Sequence, residues 1–266
     1  MKEKNTSTEA ASTVCHETCA APPETQDRGP AGRVADEASV HGAYNRRAEK
    51  ETRLNLFAHL FRRPKDVVAE FMIRHIKRGD VVFDIGANVG QMTRLAAQRV
   101  GPTGTVVAFE PNANLHWPES LGNAPNVTLH RVALSDGEQD RTLHLDVTNK
   151  VASSFHQMYG APSRDTVVHC ITLDGFCEKT GLAPSFIKMD CEQHEPFVFA
   201  GGWATIERFW PTIVLEFPEM APGYPELFAR LSLRYILLAL EDGTPLAAPF
   251  VRRTSLGYCN VACVLK

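Results

Sequence analysis

Between residues 81 and 217 short apolar runs alternate with stretches of helical spacing. "VVFDIG" precedes "QMTRLAAQRV"; "GTVVAFEP" and "NVTLHRVAL" follow, and "SFIKMD" and "PTIVLEF" resume the pattern further on. Runs this short and this continuously apolar predict strands buried on both faces of a sheet, and helix-length spacers between them predict parallel strands joined by right-handed crossovers. The chain therefore reads as α/β, and 266 residues with 44% hydrophobic content are enough to bury a sizeable core.

The flanking segments complete the outline. "RTLHLDV" and "TVVHCITL" read as strands on either side of the polar loop "TNKVASSFHQMYGAPSRD", and "LDGFCEKTGL" as a short helix. "EQHEPFVFAGGWATIERFW" predicts a helix broken at Gly201 and Gly202. "RYILLAL", the turn "EDGTP" and "GYCNVACVLK" predict a terminal pair in which the last strand closes an edge as an antiparallel hairpin. Residues 1–40, rich in Thr, Ser, Ala, Pro, Glu and Gly, predict a disordered tail, because they cannot bury enough surface to offset the entropy of ordering. Residues 41–78 predict two short helices on the substrate side. In the second, Val67, Phe71 and Ile76 recur at helical spacing, with Pro64 in the first turn and Gly79 at the stop. Residues 79–266 read as one domain.

A net charge of −3 argues against a polyanion as the main partner, so no nucleic acid is expected. No stretch approaches the length of a membrane helix and the N-terminus lacks the apolar region of a signal peptide, so no membrane association and a cytoplasmic location are expected. Seven scattered cysteines do not make a disulfide framework. Cys15 and Cys19, with His16 between them, lack a second ligand pair at zinc-site spacing, and no metal is predicted there.

In an open α/β sheet ligands sit beyond the carboxyl ends of the strands, so strand exits carry the functional information. The first exit is "DIGANVG", residues 84–90, which reads either as a cradle for a ligand or as a plain corner between strand and helix. Glu110, at the next exit, supplies a carboxylate able to accept both hydroxyl protons of a ribose. Together they point to an adenosine-type cofactor. Asn88 stands where a dinucleotide site wants its second glycine, which disfavours a pyrophosphate and favours S-adenosyl-L-methionine.

The ordered set "VVFDIGANVGQMTRLAAQRVGPTGTVVAFEPN", "NVTLHRVALSD", "VASSF", "ITLDGF", "FIKMDCEQHEPFVFAGG" and "PTIVLEF" resembles the FkbM family of S-adenosylmethionine-dependent methyltransferases over roughly residues 65–220. The resemblance implies a Rossmann-like class I methyltransferase domain: a seven-stranded, mostly parallel sheet with an antiparallel last strand and helices on both faces. It also implies that Asp84, Gly86, Asn88 and Gly90 shape the methionine pocket and Glu110 holds the ribose. Ala133, Leu134, Ser135 and Asp136 would border the adenine, and Asp190 would lie near the methyl donor. The family's usual "IKIDVEGAE" reads "IKMDCEQHE" here, placing Gln193 and His194 where Gly and Ala are usual.

Methylation of an alcohol needs an oriented acceptor and a group to take its proton, and histidine suits that task at neutral pH. His194 is thus one candidate base; a structural histidine in the first turn of a helix is the other reading. Asp190, Glu192 and Glu216 should share one rim, where carboxylates can hold the cofactor ammonium, act as base, or bind a divalent metal. No metal is predicted, although that rim leaves the possibility open. Lys188 should share a face with Asp190 and pair with a neighbouring acid. Phe197, Phe199, Trp203, Phe209 and Trp210 read as core. The expected activity is transfer of a methyl group to a hydroxyl of a small molecule, a sugar or secondary metabolite. The acceptor pocket is expected between the segment before Pro64 and the loop around Ser153, Ser154 and Phe155. A nicotinamide-dependent oxidoreductase and a non-catalytic cofactor-binding homologue are the competing readings.

Overall fold

The computed structural model describes residues 66–148, 153–156, 162–218, 221–247 and 257–266. The tail over 1–40, the helix expected before Pro64, and Cys15 and Cys19 lie outside the described residues.

The elements run α1 (Val67–His75), β1 (Val81–Ile85), α2 (Gln91–Val100), a 3-10 turn (Gly101–Thr103), β2 (Thr105–Phe109), α3 (Glu119–Gly122), β3 (Val127–His130), β4 (Ala133–Leu134), β5 (Gln139–Asp146), β6 (Ser153–Ser154), β7 (Ser163–Ile171), α4 (Leu173–Thr180), β8 (Phe186–Met189), α5 (Glu195–Ala200), α6 (Trp203–Phe209), β9 (Thr212–Pro218), α7 (Tyr224–Leu231), β10 (Tyr235–Ala239) and β11 (Tyr258–Leu265).

The main sheet has seven strands in the order β3-β2-β1-β8-β9-β11-β10. Every neighbouring pair is parallel except the two that involve β11, which runs antiparallel to both β9 and β10. Strand alternation sends successive residues to opposite faces. Val82, Val106, Phe186 and Val214 pack with Phe71 and Met72 of α1 and Ala96 and Val100 of α2 on one face. Phe83, Val107, Ile187 and Ile213 pack with Phe176 of α4, Val198 of α5, Ile206 of α6 and Leu227 of α7 on the other. This is the expected α/β sandwich, with its parallel strands buried on both sides.

Three local expectations change. "NVTLHRVAL" is two strands rather than one: β3 ends at His130, and β4 leaves the main sheet to pair with β7. There it joins a second, four-stranded sheet in the order β4-β7-β5-β6, absent from the sequence reading. The last strand does not close an edge; β11 inserts between β9 and β10, and β10 is the edge strand. Helix α1 starts at Val67, because the Asp66 side chain accepts from the Ala69 amide (3.1 Å) and caps it, and it ends at His75, ahead of Gly79. The break at Gly201 and Gly202 is where α5 gives way to α6.

Candidate active site

The turn after β1 is held from three sides. Gly86 has φ +75°, and a Cβ there would lie 1.9 Å from the Asp190 carbonyl oxygen, so only glycine lets the β1 and β8 exits approach this closely. The Gly86 and Ala87 amides both donate to the Phe109 carbonyl (3.0 Å each), Asn88 N–H donates to Glu110 Oε2 (2.8 Å), and Gly90 N–H donates to the Ala87 carbonyl (2.8 Å). Asn88 sits at φ +52°, a conformation asparagine tolerates, and its carbonyl accepts from Trp117 Nε1 (2.7 Å). Gly90 acts one layer back: a Cβ there would meet Leu121 Cδ2 at 2.5 Å, so the glycine makes room for Trp117 and Leu121.

Asp84 also lies behind the turn, fully buried. It accepts from the Thr93 hydroxyl of α2 (2.5 Å) and lies 3.3 Å from Lys188 Nζ, its direct neighbour across β1 and β8. Lys188 also donates to the Gly86 carbonyl (3.0 Å) and lies 3.7 Å from Asp190. Burial works to lower the Lys188 pKa, but the two aspartates outweigh it and hold the ammonium above its ordinary value. The expected pairing of Lys188 with an acid is met by two.

Glu110 follows β2 directly and is buried. Oε1 accepts from the Asn112 amide (2.8 Å) and Oε2 from Asn88, which fixes the carboxylate and leaves a lone pair on each oxygen. Burial pushes its pKa up, against the two amides and the charges of Arg131 and Lys188. Arg131 orders the adjoining loop by donating to the carbonyls of Asn112 and Leu115 (2.8 Å each).

Two clefts open at the carboxyl edge and share Gly86, Asn88 and Asp190. The first, about 80 Å³, runs from Glu110 between Ile85, Phe109, Ala133 and Leu134, and is closed by Leu143 and Phe155 of the small-sheet region and by His194. The second, about 370 Å³, lies between the turn and β9, with Met92, Val214 and Leu215 as apolar wall and Asp66, Asp190 and Glu216 as acids. Of the expected loop residues, Ser153 and Phe155 line the first cleft. Ser154 instead donates its hydroxyl to the Glu192 carbonyl (3.2 Å), tying the loop to the turn after β8.

Of the three carboxylates, Asp190 lines both clefts, Glu192 the first and Glu216 the second. Burial raises the Glu216 pKa to about 8, reinforced by the charges of Asp190, Glu192 and Glu195 and opposed by Lys188. Burial first, then Asp190 and Glu195, raise Glu192. Glu195 is a further acid that the sequence reading did not single out. It is fully buried, accepts from the Cys191 amide (2.7 Å) and from the Tyr224 hydroxyl, and so pins the turn after β8 to α7. Among the described residues no group of three or more His, Cys, Asp or Glu side chains is disposed to hold a metal ion.

Gln193 and its neighbour Glu192 occupy φ +72° and +52°, so the departure from the family pattern puts a side chain where the backbone favours glycine. His194 is 1% exposed, its Nε2 3.0 Å from Ser135 Oγ and its ring stacked on Phe197 (4.7 Å between centroids). Burial, then the charges of Arg141 and His156, lower its pKa to about 4. It is therefore a weak proton acceptor with one nitrogen already bound. Ala133 and Leu134 line the first cleft, but Ser135 and Asp136 are absent from its wall. Ser135 is turned to His194, and Asp136 is paired with Arg141 (2.6 Å). Phe199 is core, and Trp203 and Trp210 pack on it, whereas Phe197 stays partly exposed over His194.

None of the curated proteins matches the chain. Among solved structures, similarity extends to the methyltransferase FkbM of Methylobacillus flagellatus KT (17% identity, 70% of this chain and 44% of that one, TM-score 0.45). It extends also to a putative rRNA methylase of Clostridium thermocellum (12%, 74% and 92%, 0.44) and a SAM-dependent O-methyltransferase of Thermotoga maritima (16%, 77% and 67%, 0.39). The chain spans less than half the length of the first of these. The model of the methyltransferase FkbM domain matches residues 84–234, from the acid that opens the glycine turn to the start of the last strand pair. This chain belongs to the FkbM methyltransferase family.

Proposed function

We propose that the protein transfers the methyl group of S-adenosyl-L-methionine to a hydroxyl of a small molecule, a sugar or secondary metabolite. One observation carries the cofactor half: the amides of Gly86, Ala87, Asn88 and Gly90 are all engaged within the protein, and one of them fixes Glu110. A pyrophosphate needs such amides free, whereas a ribose needs the fixed carboxylate. The turn thus fits a nucleoside without phosphates and disfavours a nicotinamide dinucleotide.

The cofactor, when bound, supplies an electrophilic methyl on a sulfonium. Glu110 would accept the two ribose hydroxyls, with Gly86, Asn88 and Asp190 lining both clefts. Asp190 and Glu192 supply negative charge beside a cationic donor. In-line transfer to an alcohol releases the hydroxyl proton. Glu216 is the side chain best matched to take it, since it lines the larger cleft and its pKa lies near working pH. Asp190 is the next candidate. The apolar wall and acids of that cleft suit an acceptor with both hydrocarbon and hydroxyl surface.

Titration calorimetry with S-adenosylhomocysteine and with NADH tests the cofactor. We expect the first to bind and Glu110→Ala to weaken it about 10- to 100-fold, the range of a lost charge-assisted hydrogen bond. NADH binding in its place would overturn the reading. With an acceptor found by a radiolabelled-methyl screen, kcat should rise with pH to a plateau above about 8, and Glu216→Gln should abolish the rise.

A further inference from the structure

Strand β11 lies between β9 and β10, and in its first half Asn260 faces Glu216 of β9 across the ladder. An antiparallel strand turns the N–H and C=O of any one residue to the same side. At Asn260 both turn toward β10: the carbonyl accepts from the Leu240 amide (2.8 Å), and the amide donates to Glu241 Oε1 (2.8 Å). Toward β9, therefore, Asn260 and Glu216 form a non-hydrogen-bonded pair, the kind in which Cα atoms come within about 4.5 Å and side chains stand closest. Both side chains line the second cleft, where each residue is half-buried rather than sealed off. Asn260 Nδ2 donates to the same Glu241 oxygen (3.2 Å), which identifies the nitrogen end of the side-chain amide and holds it toward β10. Oδ1, at the other end, is left on the side of Glu216. Among the described residues neither Oδ1 nor the Glu216 carboxyl has a hydrogen-bond partner.

An amide oxygen has no proton to give, so whatever meets Oδ1 in a bound acceptor must be a donor. The acceptor hydroxyl itself belongs at Glu216, which takes its proton. We infer that the acceptor is a vicinal diol, with the hydroxyl to be methylated at Glu216 and its neighbour donating to Asn260 Oδ1, which makes Asn260 a specificity-determining residue. The inference rests on the alcohol-methylation reading above and names its substrate class. Val68, Met92, Val214 and Leu215 line the same cleft and suit the hydrocarbon part of such a molecule, leaving its diol edge to the two polar groups. As the acceptor oxygen gains the methyl, its proton passes to the Glu216 carboxylate, the carbon–sulfur bonding pair stays on sulfur, and S-adenosylhomocysteine remains. The monomethyl ether has one donor fewer and no longer satisfies both oxygens, so transfer stops at one methyl per diol. An amino alcohol also offers two donors, and the test separates it from the diol.

The test measures radiolabelled methyl transfer by the full chain to four ring-matched probes: trans-1,2-cyclohexanediol, cyclohexanol, trans-2-methoxycyclohexanol and trans-2-aminocyclohexanol. Wild type should show a kcat/KM for the diol about tenfold above cyclohexanol and the methoxy compound, the range of one hydrogen bond. Asn260→Leu, which keeps the bulk and loses Oδ1, and Asn260→Ala should both bring that ratio to within about threefold. Unchanged thermal midpoints would show both variants folded. In ¹⁵N-asparagine-labelled protein holding S-adenosylhomocysteine, the side-chain amide resonance that Asn260→Leu removes should move when the diol is added and stay in place with cyclohexanol. A wild-type ratio near one, a ratio kept in either folded variant, or an amide resonance indifferent to the diol overturns the assignment and leaves alcohol methylation standing. A preference for the amino alcohol over the diol overturns it in favour of a cationic acceptor. Transfer to none of the four by protein that binds S-adenosylhomocysteine overturns the alcohol reading, and the amide resonance then decides the diol inference by itself.

Discussion

Lys188 sits in the middle of a strand buried on both faces, where a charge survives only with compensation in place. Asp84 and Asp190 supply it at 3.3 and 3.7 Å, and the Gly86 carbonyl accepts a hydrogen bond from the ammonium. Lys188→Met should cost about 3–5 kcal/mol in a denaturant titration, because Asp84 would be left as an unpaired buried charge. The opposite sign is expected at Gln193. Its φ of +72° costs an L-residue on the order of 1–2 kcal/mol, of which glycine's larger unfolded-state entropy returns part. Gln193→Gly should stabilise by about 0.5–1 kcal/mol in the same titration. The pairing of Lys188 was legible because alternation along a strand fixes its face. The orientation of Ser135 and Asp136 was not. They follow β4, and their direction depends on β4 joining β7 some forty residues later, which no local pattern records.

Among the elements, α6 shows stability drawn from a neighbour. Its own N-cap position is Gly202, with no side chain to offer, and Asp174 of α4 replaces it by accepting from the amides of Thr205 (2.7 Å) and Ala204 (3.2 Å). Asp174→Ala should therefore cost about 1 kcal/mol, the usual worth of a cap, read as a lower denaturation midpoint at unchanged slope. The strands of the main sheet were legible because each is short, apolar and bounded by polar turns. The four-stranded sheet was not, because its strands mix faces: Val167 lies 69% exposed while Val168 beside it is buried. A half-wet strand of this kind gives its position away but not its partner, and β4, two residues long, gives neither. Only the observed pairing shows that this sheet, through Leu143 and the loop at Phe155, forms the outer wall of the first cleft.

For the molecule as a whole, the titrating groups set how stability depends on pH. Glu216 has a folded pKa of about 8 against an ordinary 4.5, so between those values the native state keeps a proton that the unfolded chain has released. Stability should fall as pH rises through that window and level off above it, and Glu216→Gln should remove this part of the slope. His194 acts at the other end: its pKa is lowered from 6.5 to about 4, so its contribution is lost as pH falls through that interval. Thermal midpoints of wild type, Glu216→Gln and His194→Ala between pH 4 and 9 check the two signs. The position of β11 has a consequence for synthesis. Parallel strands β1, β2, β3 and β8 have all their partners once β9 has been made, but β9 itself lacks its outer neighbour and β10 has no place in the sheet until residues 258–265 arrive. While the chain is still on the ribosome, the apolar edge "TIVLEF" of β9 is bare, a template for pairing with other chains. The nascent protein is thus at its most aggregation-prone just before its sheet can close, and that interval is when a chaperone has most to cover.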